Sequence, residues 1–396
     1  MVGNTEVIVI GGGYAGVMAA NRLTQRDDVT VTLINPRPDF VERIRLHQLV
    51  GGSDDAVVDY RRILAGGVRL VVDAVTRIDA AERSVTLASG GTVGYDYLIY
   101  AVGSNSAAPR VPGAAEFAYP IAGLEEAQRL RPVLDGAPAT AAVTVVGAGP
   151  SGIETAAELA EEGRTVTLVC GGPLGPYLHP RGRRSVAERL AGLGVTVLDG
   201  PGTEVTAVSR DAVQLGGGRT VPSAVTIWTA GFGVPDLAAR SGLSTDADGR
   251  LRTDETLTSV DDARVVAAGD AAAPSDLPFR MGCQSAVQLG PQAAETVLSR
   301  IAGKQPAPIS VGFAGQCISL GRRAGIFQFA HKDDTAIKFY VGGRPGARLK
   351  EFVCRSTVWQ LRYEARKPGV RTWWAKDAER AHRLRAERDK APATPA

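Results

Sequence analysis

The chain is short of cysteine pairs, aromatic residues, excess charge and long apolar runs, and each shortage removes a class of protein. Its four cysteines, Cys170, Cys283, Cys317 and Cys354, are scattered, with no pair at CxxC or CxxxxC spacing. Neither a zinc site nor a redox-active disulfide is indicated, and four buried thiols in a reducing cytosol are expected. No metal site is expected. No stretch approaches the roughly eighteen apolar residues that a spanning helix needs. The opening MVGNTEVIVIGGG lacks the basic segment and cleavage site of a secretory signal. A soluble cytoplasmic protein is expected, at most peripheral at the inner membrane surface. With aromatics at 6% and a net charge of +3, no aromatic-basic surface for nucleic acid is formed.

What is abundant is glycine, 47 in 396 residues, a length that calls for two or three domains. Many of these glycines fall in turns. An internal repeat organises the chain: VIVIGGGYAGVMAANRL (Val7 to Leu23) recurs in pattern as VTVVGAGPSGIETAAEL (Val143 to Leu159). Each copy is a β-branched run, a glycine turn and an alanine-rich helix, followed by a second strand ending at Asn35 or Cys170. That is a βαβ unit written twice. In the first copy Gly11 permits the tight turn, Gly13 lets backbone approach a pyrophosphate, and Gly16 lets helix and sheet pack closely. Gly147, Gly149 and Gly152 take the same roles in the second. Each helix N-terminus then faces negative charge. Neither second strand ends in the usual acidic residue. Asn35 can still bond a ribose hydroxyl, and Arg37, two residues on, can reach a phosphate or simply be solvated. Arg181, Arg183 and Arg184 follow Cys170 and suit either the extra phosphate of NADPH or a solvated face, so NADH and NADPH stay open.

With LIYAVGS (Leu98 to Ser104), WTAGF (Trp228 to Phe232) and AAGDAA (Ala267 to Ala272) added, the chain resembles the flavoproteins built on two dinucleotide-binding folds. That family includes glutathione-reductase-like disulfide reductases, ferredoxin reductases and type II NADH dehydrogenases. The resemblance implies an α/β fold of two Rossmann-like domains, for FAD and NAD(P), with a small C-terminal α+β domain. It places a discontinuous FAD domain at 1–108 and 233–308, the nicotinamide domain at 109–232, and the remainder at 309–396. It makes Asp270, after Gly269, the ligand of the flavin ribityl chain. It also carries Tyr14, Ala15, Arg43, Val75, Ala101, Val102 and Gly103 onto the FAD site, and Pro150, Ser151, Ala230 and Gly231 onto the nicotinamide site.

Within the family, disulfide reductases share a cysteine pair on the helix after the first βαβ unit; here that segment, ERIRLHQLV (Glu42 to Val50), has none. Thiol relay, sulfide and coenzyme A disulfide chemistry are disfavoured. CQSAVQLG (Cys283 to Gly290) instead resembles the AQxAxQxG signature of type II NADH dehydrogenases, with Cys283 in place of alanine. Gln284 and Gln288, four apart on one helix face, are thereby expected to face a quinone. Glu154 is expected near nicotinamide and flavin, although a glutamate in a first helical turn is also a routine dipole partner. His47 is read as structural. The implied reaction moves hydride from NADH or NADPH to FAD, then two electrons to a quinone or another small two-electron acceptor. Alternatives are a soluble reductase of an electron-transfer protein or quinonoid metabolite, and a redox-signalling flavoprotein resembling apoptosis-inducing factor.

From about Val311 the strand-like segments GQCISLG, GIFQFA, AIKFYVGG and RLKEFV suggest a small sheet. Arg355 to Lys390 then carries eleven Lys or Arg against five Asp or Glu, with Trp359, Trp373 and Trp374. Weak membrane-surface attachment, a homodimer contact and a solvated helix all fit this segment, and the final APATPA reads as disordered.

Overall fold

A computed structural model describes residues 4–107, 109–370 and 377–390. Trp373, Trp374 and the final APATPA lie outside the described residues.

The first βαβ unit is β1 (Thr5–Ile10), α1 (Tyr14–Leu23) and β2 (Val29–Asn35). The chain continues through a 3-10 turn at Arg43–Arg45 into α2 (Leu46–Gly51), then β3 (Val68–Val72) and β4 (Tyr97–Tyr100). Next come β5 (Ala118–Pro120), α3 (Leu124–Gly136), β6 (Ala142–Val146), α4 (Pro150–Glu161), β7 (Thr165–Val169), α5 (Pro180–Gly192), β8 (Thr196–Leu198) and β9 (Val225–Trp228). After β10 (Val265–Ala267) and α6 (Cys283–Ile301), the chain ends in β11 (Gly315–Ser319), β12 (Gly325–Ala330), β13 (Ala336–Gly342), α7 (Gly343–Arg366) and α8 (Arg380–Lys390).

Two five-stranded parallel sheets result, in the orders β10-β4-β1-β2-β3 and β5-β9-β6-β7-β8. Each places its glycine-turn strand at the centre. The first is completed only by β10, which arrives after every strand of the second. In β1, Val7 to Ile10 are all buried, the continuous apolar run of a parallel strand covered on both faces. Helix α1 is wholly buried and packs along α6. The α/β class with two Rossmann-like sheets is therefore the observed one.

The last unit is an antiparallel sheet, β11-β12-β13, backed by α7. This corrects one expectation: RLKEFV (348–353) is helical. The buried residues of α7, Gly346, Lys350, Cys354, Thr357, Val358, Leu361 and Glu364, recur at helical spacing. Gly346 lets the helix press on β12, since a Cβ there would stand 2.2 Å from the Gly325 carbonyl oxygen. Among the described residues no helix is long and apolar enough to cross a membrane.

Candidate functional site

Both glycine loops open on one cavity of about 1830 Å³ that also reaches α2, the start of α6, β11 and α7. The glycines divide into three physical kinds, identically in both copies. Gly11 and Gly147 adopt φ of +100° and +132°, which side-chain-bearing residues rarely tolerate. Gly16 and Gly152 are packing glycines, because a Cβ on them would meet the carbonyl oxygens of Gly11 and Gly147 at 1.8 and 2.0 Å. Gly13 and Gly149 have an ordinary φ of −78°, and a Cβ on either would have nothing within 4 Å. Neither backbone strain nor internal packing asks for glycine there. Both line the cavity at a helix N-terminus, so what excludes a methyl group is the molecule that comes to rest on the helix. This paired cradle fits two dinucleotides.

Of the other residues expected at the site, Tyr14, Ala15, Asn35, Arg37, Arg43, Val75, Ala101, Val102, Gly103, Pro150, Ser151, Glu154, Ala230, Gly231, Gly269, Asp270, Gln284 and Gln288 all line the cavity. Asp270 is held by three segments. One carboxylate oxygen accepts from the Gly282 amide at 2.8 Å, and the other from the Ser104 hydroxyl at 2.7 Å, with Arg43 3.5 Å away. Asn35 is committed differently from a free ribose ligand. Its Oδ1 accepts from the Gly12 amide at 2.9 Å and its Nδ2 donates to the Arg37 carbonyl at 2.8 Å. It therefore shapes the first glycine turn. The Arg37 guanidinium is likewise engaged, donating to Glu125 at 2.6 Å. Arg181, Arg183 and Arg184 do not line the cavity, whereas Cys170, Pro176 and Tyr177 do.

Helix α6 presents a ladder of glutamines that sequence spacing only half revealed. Gln292 donates to the Ser310 carbonyl at 3.3 Å and accepts from the Ser310 amide at 2.7 Å. Gln288, which is buried, does the same to Gly312 at 3.2 and 3.4 Å. With its amide oriented donor to acceptor, Gln284 donates to Gly315 and accepts from Ala314, both at 3.0 Å. The three side chains bind the segment that enters β11, and Gly312, Ala314, Gly315, Gln316 and Cys317 of that stretch wall the cavity.

At the meeting of α2, α4, β11 and α7 lies a buried charged cluster. Glu154 accepts from Lys350 Nζ at 2.8 Å and from the Ser319 amide at 2.9 Å, and its other oxygen lies 3.5 Å from His47 Nδ1. Burial pushes the Glu154 carboxyl up, but Lys350, His47 and the Ser319 amide outweigh it and hold the group below its usual range. Burial likewise disfavours a charged Lys350, but Glu154 reverses the effect and keeps it an ammonium. Burial lowers His47 to about 4, so its imidazole is neutral near pH 7. Lys350 gave no sequence signal, since the segment RLKEFV that contains it reads as a strand.

The expectation of four buried thiols is corrected: Cys354 is buried, while Cys170, Cys283 and Cys317 are partly exposed, because these three line the cavity. Their neighbours do not make them nucleophiles. Burial pushes the Cys283 thiol up to about 12, far from the thiolate that sulfur chemistry requires.

The pyridine nucleotide-disulphide oxidoreductase family model matches residues 5–296. An NADH dehydrogenase-like protein of Mycobacterium tuberculosis is 30% identical over 358 residues, covering 82% of this chain and 87% of its own length. A type II NADH:quinone oxidoreductase of the same organism is 28% identical over 347 residues, with 76% and 74% covered. The structure of a sulfide:quinone oxidoreductase from Aquifex aeolicus superposes with a TM-score of 0.77 at 21% identity, over 92% of this chain and 93% of that one.

Proposed function

This chain belongs to the pyridine nucleotide-disulphide oxidoreductase family, and from that premise we propose that it is an FAD-dependent NADH dehydrogenase that passes two electrons to a quinone. The observation that carries the reading is the pair of cradles, Gly13 at the start of α1 and Gly149 at the start of α4, opening on a single cavity. Two dinucleotides on one cavity are what electron transfer between them requires.

The first cradle, completed by Asp270, would hold FAD, and the second would receive the nicotinamide nucleotide. FAD, when bound, supplies the two-electron relay between nicotinamide and acceptor. The protein contributes position, exclusion of water and fixed charge. Both helix N-termini would offer their amides and positive dipole ends to the dinucleotide phosphates. The Lys350–Glu154 pair fixes one wall, and the glutamine ladder fixes the segment 310–315 that forms another. NADH rather than NADPH is supported around Cys170. The residue at the end of β7 carries no cation, and Arg181, Arg183 and Arg184 of α5, the arginines suited to a 2′-phosphate, do not line the cavity. Quinone is supported as the acceptor by the name of the Mycobacterium tuberculosis type II relative. Sulfide as the reductant lacks support: α2 is free of cysteine, and the cavity thiols are held protonated.

Anaerobic stopped-flow tests both halves. NADH should bleach the flavin of the purified protein faster than NADPH does, and menadione should restore it within turnover time. A flavin bleached by neither nucleotide would remove the proposal, and one reoxidised only by a protein acceptor would replace the quinone.

A further inference from the structure

The C-terminal helix α8 grips the cavity wall through one buried arginine. The Arg380 side chain is 5% exposed, and its guanidinium joins separate segments. Nε and Nη2 donate to the two Glu255 carboxylate oxygens at 2.9 and 3.0 Å, and Nη2 also donates to the carbonyls of Pro274 and Leu277 at 3.1 and 3.0 Å. The guanidinium lies over the Phe279 ring, 4.2 Å from its centroid. This combination calls for a planar fork with a stacking face, which lysine does not have.

The turn held in this way is strained on its own. Ser275 and Asp276 both adopt left-handed φ, 51° and 54°, where two such residues in succession ordinarily call for asparagine and glycine. The two carbonyls that Arg380 binds flank that pair. Downstream, Phe279, Arg280, Met281 and Gly282 line the cavity and lead into α6. Phe279 also meets the Phe313 ring, with centroids 6.4 Å apart, and Phe313 follows Gly312, the backbone partner of Gln288. Phe279 is therefore seated between Arg380 and the wall that the glutamine ladder holds. One turn along α8, Arg383 lies 3.6 Å from Asp333, whose neighbour Asp334 accepts from Arg280 at 3.0 Å. Helix α8 thus braces the same wall at a second point.

A quinone is a flat, largely apolar ring, and a rigidly held aromatic side chain is a surface on which it can stack. Resting on the reading of the acceptor as a quinone, we propose that Arg380 is a positioning residue for that acceptor: it fixes Phe279 in the cavity wall, and Phe279 receives the quinone ring. Neither glycine cradle includes a residue of this turn, so reduction of the flavin by NADH proceeds without Arg380.

The test is stopped-flow on the flavin-loaded protein, with Arg380→Lys, Phe279→Leu and the double variant. Lysine keeps the charge beside Glu255 but loses the fork and the flat face. Arg380→Lys should be reduced by NADH at the wild-type rate, while the menadione concentration that half-saturates reoxidation rises about tenfold. Phe279→Leu should show a similar rise, and the double variant no more than either single one, because Arg380 acts through Phe279. Wild-type menadione dependence in Arg380→Lys would overturn the proposal. So would equal slowing of reduction and reoxidation, or multiplied effects in the double variant. Where Arg380→Lys fails to retain flavin, Phe279→Leu decides, since it leaves the hydrogen bonds of Arg380 in place: a raised menadione requirement sustains the proposal and an unchanged one removes it. A wild-type flavin that NADH reduces but menadione leaves reduced would instead remove the parent reading of a quinone acceptor.

Discussion

A single methyl group separates the two cradles experimentally. Because a Cβ at Gly13 or Gly149 meets no protein atom within 4 Å and φ is ordinary, alanine should change folding stability by less than about 1 kcal/mol at either site. Its cost falls on the ligand. Gly13→Ala should purify with little flavin, whereas Gly149→Ala should stay yellow and bind NADH at least about tenfold more weakly, from the loss of backbone approach to phosphate. Flavin content and nucleotide titration check the pair, and loss of flavin from both variants would contradict the division of roles. His47 makes a second prediction at this scale. Its imidazole is neutral in the fold down to about pH 4, while the unfolded chain takes up the proton near 6.5. The unfolded state thus binds more protons between these values, so stability is full above pH 6.5 and falls as pH drops toward 4. The loss between pH 7 and pH 5 is about 2 kcal/mol. Unfolding free energies from urea titrations at the two pH values should differ less in His47→Leu than in the wild type, by that amount.

The glutamine ladder works because two repeats nearly coincide: four residues of α-helix rise about 6 Å, and two residues of extended chain about 6.5 Å. Gln284, Gln288 and Gln292 thus meet the backbone near residues 314, 312 and 310 in turn. Gln292→Ala should cost about 1–3 kcal/mol through the unpaired Ser310 groups without altering flavin reduction by NADH. Gln288→Ala should cost a similar amount and also slow reoxidation by quinone, because Gly312 and its neighbours wall the cavity. Slowed reoxidation with unchanged urea stability would mean that the Gln288 amide serves the quinone rather than the wall. Sequence spacing placed Gln284 and Gln288, though not Gln292, on one face of a helix, and it placed the repeated βαβ units, because both signals are local. It could not show what the face met, since residues 310–315 carry no complementary pattern. RLKEFV looked like a strand because Lys350 and Gly346 occupy the buried stripe of α7 and interrupt its apolar period. Burial of Lys350 depends on Glu154, nearly two hundred residues earlier, and no local pattern reveals that pairing.

At the scale of the molecule, α7 closes the fold by returning to its first helix. Arg22 of α1 donates through Nε and, at 3.0 Å, through Nη2 to Glu364 of α7, and through Nη1 to Glu295 of α6 at 2.8 Å. The two carboxylates differ in their surroundings: Glu364 is fully buried and Glu295 is half exposed. Coulomb attraction to Glu295 is screened by water and is worth less than about 1 kcal/mol. Removing Glu364 leaves Arg22, 5% exposed, with only the half-exposed Glu295 to offset its charge, and strips the Gly369 amide of its acceptor. That change should cost about 3–5 kcal/mol. The consequence reaches the site, because Val353, Ser356 and Thr357 of the same helix line the cavity beside Tyr14 and Cys283. Glu364→Ala should therefore lower the temperature of flavin release together with that of helix loss, while Glu295→Ala leaves both nearly where they are. Thermal melts followed in parallel by flavin fluorescence and far-ultraviolet circular dichroism check this. If Glu364→Ala loses helix early but releases flavin at the wild-type temperature, α7 is not a wall that the bound flavin depends on.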